Sequence, residues 1–280
     1  MKIIIYWDPI KLLYCLGIKI SIYSIMFIIS FIFFLKKIYS IYSIDRKKID
    51  NLILYSIIGL LIGARTFHVI FYNFCFYKKN RIEAIFPIHK ESNSSLFFFI
   101  KNYKFIGYQG LSSHGAALGL LISTYFYNRK ILKKKFLFLC DKLCIFLALS
   151  GFFIRIGNFF NSEMLGTTSN LPFSILFVQI HYDKINSIKR HPSQLYESIS
   201  YIIIFKIISF LYNKKNIKGY IFSIFLIFMW SIRFILEFFK EPQKNEFVFK
   251  KILNTGQLLS IPFIITGLFI YLQLFQVFLL

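Results

Sequence analysis

The sequence is short of carboxylates: 12 Asp and Glu stand against 34 Lys and Arg, a formal charge of +22. Such an excess suits nucleic acid when the basic residues form one patch or stripe. Here they fall in short clusters between long uncharged runs, which is the pattern of loops between membrane spans. The charge-free runs also exclude a soluble domain, whose helices would alternate polar and apolar positions. Metal or redox cysteine spacing is missing too. Cys15, Cys75, Cys140 and Cys144 form no C-x-x-C, and each reads as a small hydrophobe. Cys140 and Cys144 are four apart on one helix face. Leu12 to Cys15 makes a poor lipoprotein processing site, because bulky Tyr14 precedes the Cys. Repeats and low-complexity linkers are absent. No cleavable leader is expected, since the first apolar run continues into a full span.

What is present is a polytopic pattern. Seven spans are expected, at roughly 20–35, 52–77, 107–127, 137–156, 194–212, 219–239 and 256–280. The fold class is therefore all-α and polytopic, with a small periplasmic head, and 1–280 forms one integral membrane domain. Thirteen basic residues sit in three short loops, around Lys36 to Lys48, Arg129 to Lys135 and Lys214 to Lys218. The alternate loops spread a similar number over much longer stretches. Density places the short loops in the cytoplasm. The N-terminus and the loops 78–106 and 157–193 are then periplasmic, and the C-terminus is cytoplasmic. An apolar patch, Leu96 to Ile100, suggests membrane-surface contact, and Phe173 to Ile180 reads as a short strand.

Polar residues at the ends of such spans are costly and are functional candidates. Arg155 to Gly166 follows the apolar run Leu143 to Ile154 and carries Arg155, Asn158, Asn161, Glu163 and two Gly. It reads equally as a polar helix end with a Gly cap and a snorkelling Arg. In the second span, Arg65 lies beside Gly63; it needs an acidic partner or a phosphate, while Gly63 suits close helix packing. His114 opens the third span, with Gly115 and Gly119 leaving the adjoining helix face open to a ligand; a hydrogen-bonded packing His is the plainer reading. Arg190 to Glu197 opens the fifth span, with Ser193 a possible cap. Arg233 and Glu237 share a face of the sixth, as a clamp or a self-neutralising pair. Tyr23 in the first span is weak on its own.

Taken together, these residues resemble one family, the prolipoprotein diacylglyceryl transferases, over nearly the whole chain. Arg155 to Gly166 is similar to the family signature at Arg155, Gly157, Asn158, Phe159, Asn161, Glu163 and Gly166. Ser113, His114 and Gly115 resemble its His-Gly-Gly motif. Arg190 to Glu197 reads RHPSQLYE unbroken, Arg233 to Pro242 reads RFILEFFKEP, and Gly256 to Pro262 reads GQLLSIP. The chain departs from the pattern at Ile154 and Ser162, where Gly is usual, at Ala116, at Ser21 and Ile22 before Tyr23, and at Lys240 in place of Arg.

The resemblance implies transfer of the diacylglyceryl group of phosphatidylglycerol to a lipobox Cys thiol in a prolipoprotein signal peptide. Glycerol phosphate leaves, in a bacterial inner membrane. The thiolate is the nucleophile, so His114 is the expected base. Arg155 and Arg233 are expected to clamp phosphate, oriented by Glu163 and Glu237. Asn158 joins them as a catalytic residue, and Tyr23, Arg65, Asn161 and Gly166 are expected at the substrate. The expected partners are phosphatidylglycerol, prolipoproteins and membrane lipids, with no nucleic acid, no metal and no cofactor. A transporter would show inverted repeats, which the sequence lacks; a non-catalytic lipid-binding protein would explain the departures.

Overall fold

The computed structural model describes residues 5–10, 12–15, 18–41, 46–72, 74–86, 88–96, 100–105, 111–178, 188–214, 217–241 and 253–279. They divide into two compact units.

The first unit takes in 1–43, 135–242 and 256–280. It holds α1 (Ile22–Ile41), α6 (Phe136–Asn161), α7 (Ser193–Lys214), α8 (Tyr220–Leu236) and α9 (Thr255–Leu279). α6 is the hub, packing against α1, α7 and α8. Its apolar run is interrupted by Asp141, which is buried yet satisfied: its carboxylate accepts from the backbone N–H groups of Gly219 and Phe222 at the start of α8. A carboxylate there meets the free donors and positive end of the helix dipole. α9 contains Pro262, and Thr266 Oγ1 donates to the Pro262 carbonyl at 2.7 Å. Trp230 of α8 stacks on Phe263 of α9 at 4.2 Å between ring centroids.

A small head caps the end of α6. β1 (Ile5–Trp7) pairs in parallel with β6 (Ile175–Phe177), inside the segment expected to be a strand. Trp7 stacks on Phe159 at 4.1 Å and its ring N–H donates to the Phe159 carbonyl at 3.1 Å. Phe159, Ile175 and Phe177 form the buried centre of this head. β2 (Leu12–Cys15) and β3 (Ile18–Ser21) make an antiparallel hairpin leading into α1.

The second unit takes in 44–134 and 243–255. It holds α2 (Arg46–Phe71), α3 (Phe74–Lys79), α4 (Arg81–Ile85), the antiparallel pair β4 (Ile88–Leu96) and β5 (Ile100–Phe105), and α5 (Ser113–Tyr127). α5 continues into a single π-helical turn, Asn128–Leu132. α2 and α5 meet glycine to glycine. A Cβ on Gly63 would lie 2.3 Å from the Gly115 carbonyl oxygen, and one on Gly119 would lie 2.1 Å from that of Gly59. This is the small-residue packing of membrane helices, in which the absent side chains let backbones touch.

Five helices are long and apolar enough to cross a membrane: Arg46–Phe71, Phe136–Asn161, Ser193–Lys214, Tyr220–Phe239 and Thr255–Gln276, with a shorter apolar stretch at Ile22–Lys36. The chain is thus an all-α polytopic membrane protein; the expected span 107–127 holds α5, whose 15 residues are not among those five, and residues 107–110 lie outside the described residues. The second span stops at Phe71 rather than 77. The 78–106 stretch is two short helices and a hairpin rather than a plain loop. Residues 97–99, the middle of the expected surface patch, lie outside the described residues.

Candidate active site

The site grows from the end of α6. Helical geometry persists to Asn161, so Arg155 and Asn158, three apart, lie on one face. The helix then closes in a left-handed residue, Ser162, at φ 55°. The Ser162 N–H bonds the Phe159 carbonyl at 3.1 Å and the Glu163 N–H bonds that of Asn158 at 3.0 Å. Those two bonds define a Schellman cap. The cap folds Glu163 back over the last turn. Asn158 Nδ2 donates to Glu163 Oε2 at 3.3 Å, and Asn161 Nδ2 donates to Oε1 at 3.2 Å. Tyr23, at the start of α1, packs its ring where a Cβ on Gly157 would come within 2.9 Å, in the field of both Glu163 and Arg155.

The chain then runs into the head, where Gly166 sits against the backbone of His191. Its N–H donates to the His191 carbonyl at 3.2 Å, and an added Cβ would lie 2.3 Å from that oxygen. No larger residue fits there. Arg190 donates to the Gly166 carbonyl at 3.2 Å and pairs with Glu241 at 2.7 Å. Ser193, expected as a cap, instead donates to the Met164 carbonyl at 2.8 Å, and Gln194 donates to that of Glu163. These bonds tie the signature turn to the start of α7.

One carboxylate gathers the charges. Glu197, on the second turn of α7, has a fully buried side chain and lies 2.8 Å from Arg155 Nε, 2.9 Å from Lys240 Nζ and 3.6 Å from Arg233 Nη1. Lys240 Nζ also meets Glu237 Oε2 at 3.1 Å. α8 ends at Leu236, and Glu237 opens a 3-10 turn, Glu237–Phe239, that carries its carboxylate towards Lys240. Burial pushes the Lys240 ammonium below its ordinary pKa, and the Glu197 carboxylate opposes that shift. Three cations thus face two buried carboxylates. Arg155 engages Glu197 through Nε, and among the described residues its terminal nitrogens have no partner. A guanidinium whose terminal nitrogens have no partner among the described residues, at the end of apolar helices, suits a phosphate oxygen anion.

The structure therefore brings Arg155, Arg233 and Glu237 into one cluster, with Asn158, Asn161, Glu163, Gly166 and Tyr23 around the signature turn of the same unit. The expected orienters differ in their work: Glu163 holds the two Asn, and Glu197 holds both Arg. Glu197 and Lys240 belong to the site, although sequence reasoning left them out. The signal was present, since Glu197 is an acid inside an apolar span of a chain poor in acids.

His114 and Arg65 lie in the second unit. His114, at the start of α5, is fully buried, behind an N-cap Ser112 whose Oγ accepts from the Gly115 N–H. The face beside it packs on α2, where a Cβ on Gly115 would lie 2.3 Å from the Gly63 carbonyl oxygen and from Phe67 Cβ, and Gly115 and Gly119 also line a groove between the two helices. Arg65 donates to the backbone carbonyls of Ala84, at 3.0 Å, and Glu83, at 2.6 Å, and lies 4.9 Å from the centre of the Tyr77 ring. It thereby anchors α4 to α2.

Comparison with known proteins identifies the family. The family model described as prolipoprotein diacylglyceryl transferase matches residues 11–273. The chain is similar to a phosphatidylglycerol–prolipoprotein diacylglyceryl transferase of Bacteroides fragilis, at 36% identity over 95% of this chain and 93% of the relative. Proteins of the same name from Tolumonas auensis (31%, covering 96% of each chain) and Chlamydia pneumoniae (33%, 94% of this chain and 93% of the relative) are also similar. The chain, a multi-pass bacterial membrane protein, belongs to the prolipoprotein diacylglyceryl transferase family.

Proposed function

We propose that the protein transfers the diacylglyceryl group of phosphatidylglycerol to the thiol of a lipobox cysteine in a prolipoprotein signal peptide. The observation that carries this reading is the buried cluster in which Glu197 holds Arg155 and Arg233, in a chain of a transferase family. The bond between the diacylglyceryl carbon and a phosphate oxygen breaks, a carbon–sulfur bond forms, and the thiol proton leaves with a base. A free Cys thiol has a pKa of about 8.5, so most of it is protonated at neutral pH. His114 is the proposed base, by residue type and motif. Arg155 and Arg233 offer charge to the departing glycerol phosphate, where negative charge grows. Asn158 and Asn161, fixed by Glu163, are the proposed headgroup donors; Tyr23 and Gly166 shape that end. Arg65 acts by holding α4 in place.

The loops 78–106 and 157–193 are proposed to be periplasmic, with the N-terminus outside and the C-terminus inside, on the density of basic residues. The test of function is transfer from labelled phosphatidylglycerol to a lipobox peptide by the purified protein. Thioether product that requires Arg155 supports the reading, and lipid binding with no transfer overturns it. For orientation, Asn170→Cys in a Cys15→Ser, Cys75→Ser background should react with an impermeant thiol reagent in intact cells; labelling only after membrane disruption reverses the topology.

A further inference from the structure

The α2–α5 pair carries a groove of about 650 Å³ that the reaction above does not use. Its walls are aliphatic and aromatic, including Leu54, Ile58, Ile62, Ile122 and Phe126, and these side chains are strongly exposed. The volume lies within the range of small-molecule sites. One end of the groove differs from the rest, because Lys130, on the π-helical turn, lines it. Lys130 is exposed, as are Arg46, Lys47 and Lys48 at the start of α2 and Arg129 and Lys133 beside it. Tyr127 fastens these two chain ends together, its hydroxyl donating to the Lys48 carbonyl at 2.8 Å and its ring meeting that of Tyr55. Asp50 is the acidic counterweight at the start of α2. An apolar trough that ends in clustered exposed cations is complementary to a molecule with a long apolar tail and an anionic head. Basic clusters at the end of a membrane helix attract anionic lipid in the same way.

We propose that this groove binds one anionic phospholipid, with an acyl chain along α2 and α5 and its phosphate on Lys130. The site is built within the second unit and shares no residue with the Glu197 cluster. It holds a lipid of the leaflet that faces the basic loops, as a bound component of the α2–α5 pair.

The test uses the full chain in nanodiscs of phosphatidylcholine. A trace of diazirine-tailed phosphatidylglycerol or diazirine-tailed phosphatidylcholine is added, and cross-links are mapped by mass spectrometry. Position of labelling separates this site from any lipid bound elsewhere. The expected result is at least roughly fivefold more labelling of 54–67 and 118–126 by the anionic probe. Lys130→Glu combined with Arg129→Glu, both exposed and so harmless to packing, should abolish that excess. Ile122→Trp, which fills the trough, should lower labelling by the anionic probe. Equal labelling by the two probes would mean ordinary annular lipid and would overturn the proposal, as would an anionic excess that survives the double charge reversal.

Discussion

Two arginines in this protein solve the same problem differently. Arg155, near the end of α6, is held by a buried carboxylate, Glu197. Arg65, on α2, is held by the backbone carbonyls of Glu83 and Ala84 and by the face of Tyr77. Carbonyl oxygens satisfy guanidinium donors without adding charge, so these two bonds tie α4 to α2. A shared carboxylate balances charge while leaving the terminal nitrogens of Arg155 without a partner among the described residues. The two arginines thus differ in what is shown of their partners: backbone carbonyls and a ring for Arg65, a carboxylate for Arg155.

The strongest way to break that comparison is to remove the shared carboxylate. Glu197→Gln keeps the volume but leaves Arg155, Arg233 and Lys240 facing one another in a buried site. Losing one partner of a buried charged set costs about 3–5 kcal/mol. A large fall in the thermal midpoint of the detergent-solubilised protein, with loss of transfer, is expected. A midpoint within a degree of the unmodified protein would mean that other groups neutralise the cations.

Next in size is the glycine contact of the second unit. Gly63→Ala would place a methyl 2.3 Å from the Gly115 carbonyl oxygen and 2.7 Å from Gly119 Cα. Backbone cannot yield as a side-chain tip does, so α2 and α5 must separate; overpacking of this kind costs about 1–3 kcal/mol. Unchanged protease resistance of the α2–α5 region would show that the helices part without penalty.

These cases also show how far the sequence could be read. Most of the spans and the strand near Ile175 were legible because each rests on local pattern, apolar length and β-rich residues; the cap was expected to be a Gly, and Ser162 takes the left-handed position instead. The pairing of charges was not legible. The four-residue spacing of Arg233 and Glu237 assumes a continuing α-helix, but the helix tightens at Glu237 and its carboxylate meets Lys240. Glu197 lies 42 residues beyond Arg155 in sequence and reaches it only because α7 packs on α6. The face beside His114 meets α2 for the same reason, while Gly115 and Gly119 still line a groove: glycine spacing shows that a close neighbour is possible, without saying whether it is a ligand or a helix.

A smaller effect sharpens the role of the signature turn. Asn158→Asp replaces a donor to Glu163 Oε2 with a second carboxylate about 3.3 Å from it. The two charges repel, and Glu163 also loses its hold on the turn's geometry. Transfer should fall at least roughly tenfold, about 1.4 kcal/mol of transition-state stabilisation, with the protein still inserted and folded. An Asn158→Asp protein with an unchanged transfer rate would show that the Asn158–Glu163 bond is not used in the reaction.

The smallest expected effect lies at the residue between those two. Ser162 closes α6 at φ 55°, the left-handed region, and its backbone N–H makes one of the two capping bonds. A Cβ in that conformation costs about 1–2 kcal/mol, which Gly avoids. The Ser162 hydroxyl recovers none of this, being buried and without a hydrogen-bond partner among the described residues. Gly adds freedom to the unfolded chain, which offsets about 0.4–1 kcal/mol. Removing the buried, unsatisfied hydroxyl tips the balance further towards Gly. Ser162→Gly is therefore expected to stabilise the protein by about 1 kcal/mol, a rise in Tm of about 2–4 °C. Transfer should be unchanged, because the cap bonds are made by backbone groups that Gly retains. A lower Tm would mean that the serine side chain has a stabilising contact that outweighs its backbone strain.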